Sequence, residues 1–381
     1  MSLPIGVRYV SAPPGDGYGS SAQGYLATLE ALGVAVTWEP MDFVSERPLA
    51  LSEAQSRFAG WIGRRLEHDT VIVHLPPDRV PRHLAAERRC LRVAVTTAET
   101  DPIPDLWVSA LAAVDRVVVP STFNQQVFAA SGVSPPIAVV PHVSDLPADA
   151  APFAHDALGD RFVFYSIGPW TTRKGLAESV SAFADAFAGS DEVALVLKTS
   201  LIDQQTMLDA RRGTADHPVR VETWWSLAQL LATRPSAPPV LLVTEVWDDA
   251  QIAGLHARGD CLLSLNRGEG FGLTVLDAAL AGNPTVITGW GGALDIVGHD
   301  WPLLVSYRLV ATADDRPDDW MRPHPDQRWA VADHDDAVDR LRWVFEHPAQ
   351  ARRLGATAAA RAEATCGRAA VASALAAALD H

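Results

Sequence analysis

Two successive series of short β-branched runs constrain the fold of this chain more than any other feature. The first comprises IGVRYV from Ile5 to Val10, then VAVTW, TVIVHL, RVAVTT, DRVVVP and IAVVP. Each is followed by a loop or a helical stretch such as GSSAQGYLATLEALG. Strands that alternate with helices predict parallel sheets covered on both faces. The rhythm restarts at RFVFYSIG, continues through VALVLKTS, PVLLVT, CLLSL and TVIT, and ends near residue 305. Between the series lies SDLPADAAPFAHDALGD, residues 144–160, rich in Pro, Ala and Asp and without a period. It reads as an interdomain linker. At 381 residues the chain is long for one domain and comfortable for two. The expected fold class is therefore α/β, with two doubly wound Rossmann-like domains and ligands at the carboxyl ends of their sheets. The expected boundaries are residues 1–148 for the first domain and 149–367 for the second. Residues 306–329, polar and with several Pro and Asp, read as a long surface loop, and Asp335 to His381 as helical.

The net charge of −15 argues against a nucleic-acid partner, which needs a basic surface to displace counterions. Cys90, Cys261 and Cys366 are odd in number and far apart, form no C-x-x-C pair and suit a reducing compartment. The N-terminus lacks a basic region before an apolar run, and no stretch approaches the length of a membrane span. A cytoplasmic location is expected. One basic cluster stands out: Arg64, Arg65, Arg79, Arg82, Arg88, Arg89 and Arg92. With Phe58, Trp61 and Ile62 alongside, residues 57–66 would make a surface helix capable of weak peripheral membrane contact. A solvated helix face is the plainer reading.

The chemistry concentrates in RGEGFGLTVLDAALAGNPTVITGWGG, residues 267–292. Glu269 sits among Gly268, Gly270 and Gly272, and Asp277 follows after seven intervening residues. Glycines let the backbone approach a ligand closely, and the first turn of the helix TVLDAALA directs N–H groups at the glycine loop, an anion site. Two carboxylates beside an anion site suit a ligand with both phosphates and hydroxyls, a sugar nucleotide. A second motif is SIGPWTTRKGLAESVSAFADAF, residues 166–187, where Lys174-Gly175 opens a helix after a strand. Lys174, Arg173 beside it and the helix terminus would stabilise the charge of a departing diphosphate without a metal.

These motifs resemble those of retaining glycosyltransferases with the GT-B fold, most closely glycosyltransferase family 4. The family form EGFGLxxLEAxAxGxPVIxTxxGG stands here as EGFGLTVLDAALAGNPTVITGWGG, with Asp277 for the second Glu. The family pattern GRxxxxKG places Lys174 correctly after Gly168, but Pro169 replaces the usual Arg. The resemblance covers the whole chain at fold level and is specific in residues 166–187 and 264–298. It implies GT-B domains facing a central cleft, with residues 368–381 packing back on the N-terminal, acceptor-side domain and the second domain holding the donor. It implies a metal-independent transfer with retention by a front-face route, without a cofactor, from a UDP- or GDP-linked sugar to a sugar, lipid-linked or small-molecule acceptor. Glu269 would hold the sugar and Asp277 the ribose. Gly270, Phe271, Gly272 and Leu273 would bring their amides to the diphosphate, and Arg173 would substitute for the missing Arg.

The N-terminal loop carries Gly17, Gly19 and Ala22 in a G-x-G-x-x-A pattern, with Glu39 about twenty residues on. This is the dinucleotide fingerprint on its face, but Pro13, Pro14 and Asp16 lengthen the turn. The family's own glycine loop, approaching the donor diphosphate, is the preferred reading. Acceptor-side candidates are His74, which ends the strand TVIVHL, and Glu99, which follows the strand VAVTT. No second His or Cys stands at metal-ligand spacing from His74, and no metal site is expected. Trp247, just after a strand of the second domain, is the candidate for lining the base pocket. Three rivals are carried: a non-catalytic GT-B partner of an active transferase, a nicotinamide-dependent dehydrogenase and a sugar-nucleotide epimerase.

Overall fold

The computed structural model describes residues 3–42, 47–212, 220–312 and 326–380. The chain divides into two compact units, Met1–Asp145 with Ala364–His381, and Leu146–Glu363.

The first unit is built on β1 (Val7–Ser11), β2 (Val36–Pro40), β3 (Thr70–His74), β4 (Leu91–Val95), β5 (Arg116–Val119) and β6 (Ile137–Val139). They form one sheet in the order β2-β1-β3-β4-β5-β6. Every neighbouring pair is parallel. Helices α1 (Gly17–Ala31), α2 (Asp105–Leu111) and α3 (Thr122–Ala130) provide crossovers. A sheet covered on both faces demands unbroken apolar strands, and all five residues of β3 are buried. One core face gathers Tyr25, Leu26 and Leu29 of α1 with Trp38 of β2.

The second unit repeats the plan with β7 (Phe162–Ile167), β8 (Val193–Lys198), β9 (Val240–Val243), β10 (Cys261–Ser264), β11 (Thr285–Thr288) and β12 (Leu304–Val305). Their order is β12-β11-β10-β7-β8-β9, again all parallel. Its helices are α4 (Leu176–Ala186), α5 (Gln204–Arg212), α6 (Thr223–Ala232), α7 (Asp249–Arg258), α8 (Leu273–Leu280), α9 (Leu294–Val297), α10 (His334–Glu346) and α11 (Pro348–Cys366). The last helix, α12 (Arg368–Ala378), belongs to the first unit, where Val371, Leu375 and Ala378 enter the core containing α1.

Residues 144–160 are irregular, but their later part is packed. The Phe153 amide donates to Gly254 O at 2.8 Å, and Leu158 is buried.

Two local expectations are corrected. The stretch 306–329 is not one loop: β13 (Tyr307–Ala311) and β14 (Arg328–Ala332) pair antiparallel, and residues 313–325 lie outside the described residues. The Pro and Asp of the middle masked the strand character of both ends. Residues 57–66 form no surface helix, only a 3-10 turn over Ala59–Trp61. Phe58 is buried in the core, with Trp61 and Ile62 packed against it, so the apolar side of this segment is already used inside the unit. Ile62, extended at φ −67° and ψ 124°, ends the turn. Among the described residues no helix is long and apolar enough to cross a membrane.

Candidate active site

In the second sheet the chain runs β7, β8, β9 outward, then returns to place β10 on the other side of β7. The crevice at such a switch point, at the carboxyl ends of the strands, is where doubly wound sheets bind ligands. The two loops that leave these neighbouring strands are residues 168–175 and 265–272, the two motifs read from the sequence.

Lys174 Nζ donates to Glu269 Oε2 at 2.6 Å. Arg173 Nη1 lies 4.0 Å from the same oxygen and donates to Gly268 O at 2.9 Å. The backbones are tied as well, since the Arg267 amide donates to Arg173 O at 2.7 Å. The Gly292 amide donates to Glu269 O at 2.7 Å, so the glycine pair after β11 braces the acidic loop. The side chains of Lys174 and Glu269 keep 22% and 17% of their surface exposed, enough to be reached by a ligand.

Each loop ends in a glycine that starts a helix in the left-handed region, Gly175 for α4 (φ +59°) and Gly272 for α8 (φ +96°). Neither helix has a side-chain cap at its N-terminus. Uncapped first-turn amides and the helix dipole favour an anion there. A Cβ at Gly175 would lie 2.0 Å from Leu265 O, so a side chain there would force the two loops apart.

Arg173 was expected to replace the Arg missing at Pro169. It is 8% exposed, and its guanidinium is turned onto the acidic loop through Gly268 O. Its observed contacts are those of a brace between the loops.

Asp277 lies in the second turn of α8, half-buried, and its charge is one of the causes that raise the pKa of buried Tyr165, after desolvation, the lowering bond from Asn283 and the charge of Cys261. Gly270, Phe271 and Gly272 are buried and Leu273 half-buried. Trp247 follows the edge strand β9, its ring 5.0 Å from the Phe153 ring and 5.7 Å from Lys198 Nζ. Lys198 ends β8, and burial lowers its pKa. Sequence reading passed over Lys198 and also Arg267, whose Nη2 donates to Glu178 Oε1. Lys198 closes an apolar run with no motif to mark it, and Arg267 opens the acidic motif but matches none of its patterned positions.

In the first unit the switch point falls between β1 and β3, where His74 ends β3. His74 is 1% exposed, with Nδ1 2.8 Å from Tyr9 Oη and Nε2 3.1 Å from Ser21 Oγ. Burial, then the neighbouring His142, pushes its pKa well down. An acceptor contact through His74 would therefore need one of these hydroxyls to release it. Glu99 is half-buried, and its charge is the second cause, after burial, of the raised pKa of Tyr18.

The glycine loop at Gly17 and Gly19 differs from the expectation of open amides. Asp16 is the N-cap of α1, and its Oδ1 accepts the Gly19 amide at 2.7 Å. Gly19 is small because a Cβ would fall 1.9 Å from Pro13 O. A carboxylate thus occupies the anion position at this terminus, which opposes a dinucleotide pyrophosphate there.

No family model matches the sequence, and no curated protein matches it. Solved structures do. An E. coli trehalose-6-phosphate protein bound with UDP-2-fluoroglucose matches with a TM-score of 0.65 at 13% identity, over 98% of this chain and 99% of that one. The sucrose-phosphate synthase of Thermosynechococcus elongatus matches with a TM-score of 0.64 at 15% identity, over 97% and 96%. S. aureus TarM, in complex with Fondaparinux, alpha-GlcNAc-glycerol and UDP, matches with a TM-score of 0.57 at 10% identity. This chain covers 55% of TarM, and 82% of its own length is matched. The chain has the GT-B fold. Within that GT-B framework the Lys174–Glu269 pair lies on the two loops at the switch point of the second sheet.

Proposed function

We propose that this chain is a retaining glycosyltransferase that moves a sugar from a nucleotide-sugar donor to an acceptor hydroxyl. The observation that carries the reading is the Lys174–Glu269 contact of 2.6 Å between two uncapped helix N-termini. A cation for phosphate, an anion for hydroxyls and two helix N-termini without side-chain caps match the parts of a nucleotide sugar.

In this reading the second unit is the donor side. Lys174 and the amides of Gly270, Phe271, Gly272 and Leu273 take the diphosphate, Glu269 orients the sugar and Asp277 meets the ribose. Trp247 lines the base pocket. Arg173 acts with Lys174 by positioning the acidic loop. The bond from the anomeric carbon to the phosphate oxygen breaks as the bond to the acceptor oxygen forms on the same face. The acceptor proton passes to the leaving phosphate, giving a glycoside and a nucleoside diphosphate. The first unit supplies the acceptor side, with Glu99 its more accessible candidate and His74 a buried support. The donor is UDP- or GDP-linked, and the setting is the synthesis of a glycan, glycolipid or glycosylated metabolite in the cytoplasm.

A second reading has one specific observation behind it. Pro169 stands where the family carries Arg, and Arg173 is engaged by Gly268 O. With one phosphate ligand fewer, a non-catalytic GT-B protein that binds sugar or nucleotide and partners an active transferase is the alternative.

Thermal stability against UDP, GDP, ADP, dTDP and NADH separates these. A ligand at 100 times its dissociation constant stabilises by about 2.7 kcal/mol, a rise of a few degrees. The transferase reading expects one diphosphate to shift the midpoint, NADH not to, and slow donor hydrolysis to disappear in Lys174→Ala. A shift without any donor turnover favours the binding partner. No shift with any diphosphate counts against the transferase and makes the non-catalytic partner the leading reading.

A further inference from the structure

Three side chains of different chemistry converge at the amino ends of β3 and β4, the opposite edge of the first sheet from His74. His68 precedes β3, Cys90 precedes β4, and Glu87 lies on the connection between them. One donor atom from each lies within 4.8 Å of the other two, and all three residues are half-buried. Glu87 Oε2 is 3.3 Å from His68 Nε2 and 3.6 Å from Cys90 Sγ.

These separations match the edges of a coordination tetrahedron. Zinc bonds of about 2.0–2.1 Å to nitrogen, 2.3 Å to sulfur and 2.0–2.2 Å to oxygen require N···O near 3.4 Å and S···O near 3.6 Å. The remaining N···S edge should be about 3.6 Å, so Cys90 Sγ and His68 Nε2, within 4.8 Å of each other, need to close by about 1.2 Å at most.

The hydrogen-bond inventory of His68 points the same way. Nε2 faces a carboxylate oxygen of Glu87, and Nδ1 faces Leu66 O at 3.5 Å. A metal on Nε2 would leave the Nδ1–H facing the Leu66 carbonyl, the outer-shell arrangement of metal-bound histidines. Arg8 completes the support, since its Nη1 lies 3.3 Å from the other carboxylate oxygen, Oε1, and steadies Glu87 without occupying Oε2.

We propose that His68, Glu87 and Cys90 form a binding site for a divalent transition metal of the zinc class. The ligands are His68 Nε2, Glu87 Oε2 and the Cys90 thiolate, with water in the fourth position. The mixed nitrogen, oxygen and sulfur set favours zinc over magnesium or calcium, which take oxygen alone. Binding releases the thiol proton to solvent, and the cation balances the two anionic ligands. The ion would clip the connection that carries Glu87 to the starts of two core strands, a structural role separate from the donor chemistry. No ligand spacing marks His68 beforehand, because it stands 19 positions from Glu87.

Cobalt titration of the full chain tests the site, because cobalt bound to a thiolate produces a sulfur-to-metal charge-transfer band. Cys261 and Cys366, at 0% and 3% exposure, are shielded from added metal. The expected result is a band that saturates at one equivalent of cobalt and is displaced by zinc. Cys90→Ser abolishes it, and His68→Gln weakens cobalt binding by more than about tenfold. Circular dichroism checks that each variant is folded, and His68→Gln carries the test alone if Cys90→Ser is not. Absence of the band at one equivalent overturns the proposal and leaves a hydrogen-bonded cluster. A band undiminished in folded Cys90→Ser, or in folded His68→Gln, also overturns it.

Discussion

Lys174 Nζ and Glu269 Oε2 lie 2.6 Å apart although 95 positions separate them in sequence. The contact joins the loops after β7 and β10, neighbours in the second sheet. In the proposed reaction both groups must change partners. Phosphate draws Lys174 away, and sugar hydroxyls take the place of its ammonium on Glu269.

That exchange makes the two residues separable. Lys174→Met removes the phosphate cation, so nucleoside diphosphate affinity and donor turnover should both fall. Turnover should drop by about 10²–10³, the loss typical of one charge-stabilising donor. Glu269→Gln removes the competitor for Lys174, so diphosphate affinity should hold or rise while turnover still drops. Calorimetric titration with UDP and GDP, beside donor consumption, reads both. Equal loss of diphosphate affinity in the two variants would contradict this division.

Arg173→Lys distinguishes a brace from a phosphate ligand. Lysine keeps the charge but loses the planar fork that reaches Gly268 O. A buried acceptor left unsatisfied costs about 1–3 kcal/mol, so a urea midpoint should fall. Diphosphate affinity should fall far less than in Lys174→Met. A large affinity loss with unchanged stability would assign Arg173 to the phosphate instead.

How much of this was legible in the sequence follows from how local each signal is. The strands announced themselves because sheets buried on both faces need continuous apolar runs, as in the five buried residues of β3. Lys174-Gly175 and Glu269 to Gly272 were legible because each is a compact loop-to-helix junction with its glycines and charges in one place. The direction of the Arg173 guanidinium was not, since it depends on a carbonyl 95 positions away. His74 reads as a polar residue at a strand end, and only the fold brings Tyr9 and Ser21 to its two nitrogens. The β13–β14 pair escaped because pairing across an intervening polar segment leaves no periodic trace in either five-residue strand.

Gly175→Ala should be among the most damaging small substitutions in the second unit. The left-handed backbone costs a non-glycine residue about 1–3 kcal/mol, and the new Cβ meets Leu265 O at 2.0 Å. Relief requires separating the two site loops, so stability and diphosphate binding should fail together. A chemical denaturation curve and a UDP thermal shift measure the two effects. Full stability in Gly175→Ala would show that the loop contact is looser than drawn.

His256 supplies a pH dependence. Asn283 Nδ2 donates to Tyr165 Oη at 2.9 Å, so the single hydroxyl proton of Tyr165 is directed at His256 Nδ1, also 2.9 Å away. His256 is then an acceptor and neutral, and burial lowers its pKa from 6.5 to about 4. The unfolded chain binds this proton from near pH 6.5, whereas the folded chain resists it until about pH 4. Stability is therefore complete above the unfolded value and declines as pH falls between the two. At about 1.4 kcal/mol per unit the loss is on the order of 3 kcal/mol by the acid end. Buried His74, with its pKa also pushed down, adds to the same limb. In His256→Gln the fall in unfolding free energy between pH 6.5 and pH 4, read from urea titrations, should shrink by that amount. An unchanged slope would show that His256 is charged in the folded protein, with Tyr165 accepting from it.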